Sequence, residues 1–142
     1  MLCSLKDLIR AKRPNKWLFD EAREVIWQLN NGISYLHERG IIHRDIKPDN
    51  IIRNKQNNKL FLIDFGAVKE KATRHTSASG TNLTQAIYTS GYAPAEQLAG
   101  IPQLNSDIHA LGIMIMQGVT GFSIQAINSS ERAPRRDTNN GC

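Results

Sequence analysis

His43-Arg44-Asp45-Ile46-Lys47-Pro48-Asp49-Asn50, followed by Asp64-Phe65-Gly66, sets charged and amide side chains where the phosphates of a nucleotide would need them. Asp45 is a carboxylate able to accept a hydroxyl proton, and Lys47 an ammonium able to neutralise charge on a moving phosphoryl group. Asn50 and Asp64 offer hard oxygen ligands, which suit Mg²⁺, an ion usually held by one or two protein groups plus substrate phosphates. Taken singly, each residue has an ordinary explanation: an Asp or Asn before a strand is a turn or capping residue, and a lone histidine such as His43 is a hydrogen-bonded core residue. The combination points to phosphoryl transfer.

Such chemistry needs elements that gather these groups. Ile51-Ile52-Arg53 and Lys59-Leu60-Phe61-Leu62-Ile63 are β-prone runs separated by the polar, turn-forming Asn54-Lys55-Gln56-Asn57-Asn58, so the pair predicts a hairpin. Asn50 stands just before its first strand and Asp64 just after its second. Antiparallel pairing then brings amide and carboxylate side by side, with Asp45 and Lys47 on the loop that enters the same end. Three helices frame this hairpin. Ser4, with Asp7 three residues on, predicts a capped helix over about Leu5 to Ala11, broken by Pro14. Asp20 is the expected cap of a second, amphipathic helix in which Ala22, Ile26, Leu29, Ile33 and Leu36 recur at helical spacing and Gly40 is the stop. Ser106 is the expected start of a third, whose Ile108, Leu111, Ile113, Met114, Ile115, Met116 and Val119 leave almost no polar face, predicting burial on all sides. The methionines are core filler.

H-R-D-x-K-x-x-N followed by strand, turn, strand and D-F-G resembles the catalytic and metal loops of protein kinases. The resemblance implies an α+β, mainly helical fold: the large (C-terminal) lobe of a kinase, truncated, with a short β-hairpin at the active site. It implies ATP and Mg²⁺ as cofactors, Asp45 as catalytic base, Lys47 on the transferring phosphate, Asn50 and Asp64 as metal ligands, and Ile52 beneath adenine, although Ile52 reads equally as an ordinary strand residue. Lysine two positions after the Asp resembles serine/threonine kinases, so a Ser or Thr hydroxyl of a protein is the implied acceptor. Phe65 and His43 resemble the pair that stacks to hold the metal loop inward, and Gly66 would give that loop backbone freedom.

Thr89-Ser90-Gly91-Tyr92-Ala93-Pro94-Ala95-Glu96-Gln97 is similar to the end of the activation segment in bacterial members, with Tyr88 where a Gly would stand and Pro94-Ala95-Glu96 in place of A-P-E. By that likeness Thr89 would contact Asp45 and Lys47, and Glu96 would pair with a later Arg that has no clear counterpart here. Arg44 implies a cationic pocket for a phosphorylated segment, the acceptors being Thr73, Thr76, Ser77, Ser79, Thr81 or Thr84; an unmodified polar loop is the other reading. Asp107 and Gly112 match the D-x-x-x-x-G of the family's central helix, where the Asp accepts hydrogen bonds from the catalytic-loop backbone; alone it would read as a first-turn residue favoured by the helix dipole.

The chain's 142 residues, 40% hydrophobic, are enough for one domain and too few for two. No apolar run approaches the roughly 20 residues of a membrane span, and the start lacks the apolar region of a signal peptide, so a cytoplasmic location without membrane partners is expected. Cys3 and Cys142, at opposite ends, fit a reducing compartment. The net charge of +5 is spread over Lys6, Arg10, Lys12, Arg13 and Lys16 at one end and Arg132, Arg135 and Arg136 at the other, without interleaved aromatics, which argues against nucleic acid. Residues 128–142, polar and Pro-containing, read as a disordered tail.

Residues 1–127 are thus expected to be a partial kinase domain. No G-x-G-x-x-G and no V-A-I-K occur in the sequence, so the small lobe is expected to be absent, or supplied by a separate chain. Since positioning is most of phosphoryl-transfer catalysis, the isolated fragment is expected to be weak or inactive. A non-catalytic, pseudokinase-like binding module or gene remnant is the alternative reading, and a small-molecule phosphotransferase of related fold ranks last.

Overall fold

The computed structural model describes residues 2–11, 17–65, 69–70 and 91–130. Within them the architecture is helical with two small antiparallel sheets. Strand β1 (Leu2–Ser4) leads directly into helix α1 (Leu5–Ala11). At that junction the Ser4 hydroxyl accepts the Asp7 N–H at 3.1 Å and donates to the Asp7 carboxylate at 2.7 Å, satisfying an orphan donor of the first turn. This bond is the main reason the Asp7 carboxyl is held below its usual range.

Helix α2 (Phe19–His37) begins one residue before the expected cap: Leu18 takes the N-cap position, its N–H donating to Glu21 Oε2 at 3.0 Å. Asp20 falls inside the first turn instead, where a carboxylate still favours the helix dipole. The buried stripe keeps Ala22, Leu29 and Ile33 and differs from the expected one in having Val25 in place of Ile26. Ala22, Val25, Leu29 and Ile33 face inward, whereas Ile26 is 42% exposed; Val25 and Ile26 both fit the spacing, and only packing separates them. Gly40, at φ 71°, ends the helix by donating to His37 O at 2.9 Å, a left-handed position suited to glycine.

From there β2 (Ile41–Ile42) carries the chain into the His43 loop, and a 3-10 turn at Pro48–Asn50 opens into the hairpin of β3 (Ile51–Asn54) and β4 (Leu60–Leu62). Ile51 faces Leu62, Ile52 faces Phe61, and Arg53 faces Leu60. The asparagines of the turn work as expected of turn formers: Asn54 Oδ1 accepts Gln56 N–H at 2.9 Å, Asn57 Oδ1 accepts Lys59 N–H at 3.1 Å, and Asn58 adopts φ 58°. Three further strands, β1, β2 and β5, were not legible in the sequence. β1 pairs with β3, Ser4 opposite Ile52, and β2 pairs with β5 (Lys69–Glu70). Runs of two or three residues have too little periodicity to announce a strand.

After the short α3 (Ala95–Leu98), helix α4 (Leu104–Thr120) starts two residues before Ser106 and is closed by Gly121 at φ 71°. Ser106 serves the helix start from within, accepting the Gln103 N–H on its hydroxyl at 3.0 Å. Burial is one-sided, contrary to the expectation of an enclosed helix. Ala110, Leu111, Ile113 and Met114 are buried, while Ile108 is 46% exposed, with Met116 and Val119 near it in accessibility. The core lies where α1, α2, α4 and the hairpin meet: Leu5, Ile9, Trp17, Val25, Leu29, Ile33, Ile46, Ile51, Leu111 and Met114. Helix α5 (Ile124–Ser130) extends three residues into the stretch expected to be an unstructured tail; residues 131–142 lie outside the described residues. No described helix is long and apolar enough to cross a membrane.

Candidate active site

The loop from His43 to Lys47 has no regular structure of its own, so its shape must come from partners. Asp107, 1% exposed in the first turn of α4, supplies two. Its Oδ2 accepts the His43 N–H and its Oδ1 the Arg44 N–H, each at 2.9 Å, and His37 Nε2 lies 2.9 Å from Oδ2. A buried carboxylate is costly without such bonds, and here each oxygen is used. On the other side of the loop, buried Gln97 donates from Nε2 to the Arg44 carbonyl at 2.5 Å. Arg44, so gripped at both its N–H and its C=O, holds φ 70°, a conformation that non-glycine residues rarely keep unless their surroundings enforce it.

That grip presents Asp45. Its carboxylate Oδ2 is 2.8 Å from Lys47 Nζ and accepts from Asn50 Nδ2 at 2.9 Å, while the same amide nitrogen also donates to the Asp45 carbonyl at 2.9 Å. Carboxylate, ammonium and amide therefore form one connected group. Asn50 turns its nitrogen toward Asp45, which leaves its oxygen as the atom to offer a cation. Asp64 sits at the other end of the hairpin, exposed, at φ 62°. Its neighbour Ile63 donates its N–H to the Asn50 carbonyl at 2.9 Å, so the hairpin brings residues 50 and 64 within one residue of facing each other. Ile52 is half-buried on β3, flanked by Ser4 and Phe61.

His43 links the two ends. It is fully buried, its ring lies 5.2 Å from the Phe65 ring in an edge-to-face arrangement at 61°, and Nε2 lies 3.2 Å from the Ile63 carbonyl. Nδ1 faces the Asp45 N–H at 3.4 Å. With Nε2 donating and Nδ1 accepting, the neutral imidazole meets both neighbours, and burial lowers its pKa against the opposing pull of Asp107. Burial likewise lowers the Arg44 pKa. Glu96, for which the sequence offered no partner, accepts from the Ser106 hydroxyl at 3.1 Å. Gly66, Thr89 and the six candidate phosphoacceptors lie outside the described residues.

His37 and Gln97 were missed as site residues. A histidine in the last turn of a helix fits the dipole and gave no cue to Asp107; Gln97 carried no signal beyond its place after Glu96. Among the described residues no cluster of three or more His, Cys, Asp or Glu is placed to hold a metal. The Asn50 amide oxygen and the Asp64 carboxylate are hard donors, the kind that Mg²⁺ takes alongside phosphate oxygens.

Comparison with known proteins shows the family. A family model described as protein kinase domain matches residues 2–140. The chain is 36% identical over 126 residues to serine/threonine-protein kinase PknA of Nostoc sp., covering 87% of this chain and 22% of that protein. It is 39% identical over 109 residues to serine/threonine-protein kinase B of Synechocystis sp. (74% and 19% covered) and 41% over 101 residues to kinase C of the same organism (70% and 19%). The chain spans about a fifth of the length of these relatives.

Proposed function

The chain belongs to the protein kinase family, and on that premise we propose that it carries the catalytic loop and metal loop of a serine/threonine protein kinase, acting on the γ-phosphate of ATP. The observation that carries this reading is the Asp45 carboxylate bound at once to Lys47 at 2.8 Å and Asn50 at 2.9 Å, on a loop hung from Asp107. Asp45 would accept the proton of a Ser or Thr hydroxyl as that oxygen bonds to the γ-phosphorus and the bond from phosphorus to the β-phosphate oxygen breaks, releasing ADP. Lys47 would leave Asp45 for the equatorial oxygens of the transferring group, where its charge counts most. Asn50 and Asp64 would hold Mg²⁺, which when bound neutralises charge on the phosphates. Ile52 would lie under the adenine, His43 and Phe65 would keep the metal loop turned inward, and Gly66, Thr89, Glu96 and Arg44 would shape the segment that bears the acceptor.

The described residues are read as the large lobe. A glycine-rich loop and a strand lysine are not among these 142 residues, so the chain alone would transfer phosphate weakly, and a segment or separate chain carrying them would complete the site. Exposed Leu2, Phe61, Ile63 and Phe65 on the strands and metal loop give such a partner apolar surface to cover. A cytoplasmic setting and protein substrates belong to the same reading.

The test is co-purification with a chain carrying the small lobe, followed by ATP turnover on a serine or threonine peptide. Turnover that Asp64→Ala abolishes supports the proposal. Nucleotide binding without transfer in the completed complex would overturn it in favour of a non-catalytic binding module.

A further inference from the structure

A second concavity opens beside the candidate catalytic loop. Its volume is about 210 Å³, and it is walled by Lys6, Ile9 and Arg10 of α1, Pro48 and Asp49 of the loop, Tyr92, and residues of α4 and the α4–α5 junction, including Gln117 and Ile124. The loop reaches it immediately after Lys47, so the opening lies beside the residues proposed to receive the acceptor hydroxyl.

The charges on the wall decide what it can receive. Asp49 is its single acidic group, and the Lys6 ammonium is bonded to that carboxylate. Arg10 stands one turn beyond Lys6 on α1, exposed, with no acidic residue of the lining left to balance it. Asp7, outside the lining, is held mainly by Ser4 and interacts with the charges of Arg10 and Lys6 to a lesser degree. Ile9 and Pro48, both buried, and Ile124 furnish an apolar base, and the Tyr92 hydroxyl donates to Gln117 Oε1 at 2.8 Å, stiffening one wall. The pocket is net cationic at its rim and apolar below.

We infer that this pocket receives an anionic side chain of the acceptor protein segment, with Arg10 as the specificity-determining residue and Lys6 as the group that cancels Asp49. The inference rests on the kinase reading for the path of the segment, and it goes beyond that reading in naming which segments are chosen. Without Lys6, the same pocket would present Asp49 and favour cationic side chains.

The experiment measures binding in the absence of nucleotide, so that it does not depend on transfer. Labelled serine peptides that differ by one residue, Glu, Gln or Lys, scanned along the positions flanking the serine, are titrated with the chain by fluorescence anisotropy. At one position Glu should bind about two- to fivefold tighter than Gln, the range of an exposed ion pair, and Lys weaker than both. Added salt should shrink the difference. Arg10→Glu should reverse the order, Lys6→Ala should move it toward Lys, and Asp49→Ala should widen the preference for Glu. Phosphoserine in place of Glu separates the two sources of the anion: tighter binding assigns the pocket to phosphorylated segments, equal or weaker binding to carboxylates, and Arg10 dependence of either supports the inference. Equal affinity for Glu, Gln and Lys at every position, or no binding by any peptide, overturns it. Loss of transfer with the Glu preference intact would count against the proposed activity alone.

Discussion

The Asp107 carboxylate takes the backbone N–H of His43 at 2.9 Å across 64 residues of chain, and with it the position of the whole His43–Asn50 loop. One buried side chain on α4 thereby sets the direction of Asp45 through the backbone of the two residues that precede it. Fold stability and site geometry meet at this contact.

Asp107→Ala would strand the N–H groups of His43 and Arg44 in the interior, each unsatisfied donor costing about 1–3 kcal/mol. The expected loss is on the order of 3 kcal/mol, a large share of the stability of a small domain. Urea denaturation followed by circular dichroism should show a lower midpoint with an unchanged slope; a midpoint equal to that of the unmutated chain would mean that the loop holds its shape without Asp107.

His43 predicts a pH dependence. Burial lowers its pKa from the ordinary 6.5, so the folded state takes up its proton later than the unfolded state as pH falls. The stabilisation is complete above about pH 6.5 and declines as pH drops toward the folded value. Melting temperature should fall from pH 7.5 to pH 5.5 in the unmutated chain and more shallowly in His43→Leu, whatever the absolute stability of that variant. Parallel profiles would exclude His43 as the source.

Gly118 tests the packing of α4. A Cβ placed there would lie 2.3 Å from Trp17 Cε3 and 2.6 Å from Cδ2 and Cζ3, ring atoms of a side chain only 4% exposed. Alanine gains up to about 1 kcal/mol in helix propensity, while overpacking a core costs about 1–3 kcal/mol. Gly118→Ala should therefore lower the melting temperature and shift the fluorescence of Trp17, read in a Trp27→Phe background. An increase in stability would show that Trp17 moves freely.

Asn50→Ala removes both amide bonds to Asp45 and the amide oxygen proposed for Mg²⁺. In the completed kinase complex, turnover should fall about ten- to a hundredfold, the equivalent of a hydrogen bond to a charged group, and the Mg²⁺ requirement should rise. Asp64→Ala should abolish turnover at the Mg²⁺ concentration that saturates the unmutated complex, without disturbing Asp45. Identical effects on the pH profile from the two variants would contradict separate roles.

The hairpin was legible because its signals are local: β-prone runs on either side of a five-residue polar turn fix register through turn chemistry. The helices were legible for the same reason, though their ends were not. Leu18 displaced Asp20 as the cap of α2, and α4 began at Leu104 instead of Ser106, since a cap is decided by which backbone group finds a partner and not by the residue type best suited to be one. Val25 facing inward where Ile26 was expected, and the open face of α4 at Ile108, were settled by which neighbours arrived.

By itself the sequence determined which groups are available for chemistry and the hairpin that joins Asn50 to Asp64, because both depend on residues close along the chain. Only the tertiary structure decided how Asp45 is aimed. Gln97 and Asp107 grip the His43–Arg44 backbone, and His37 in turn holds Asp107, so that three different helices take part, and bonds made across 53 to 70 residues leave no periodic trace that a reading of the chain could follow.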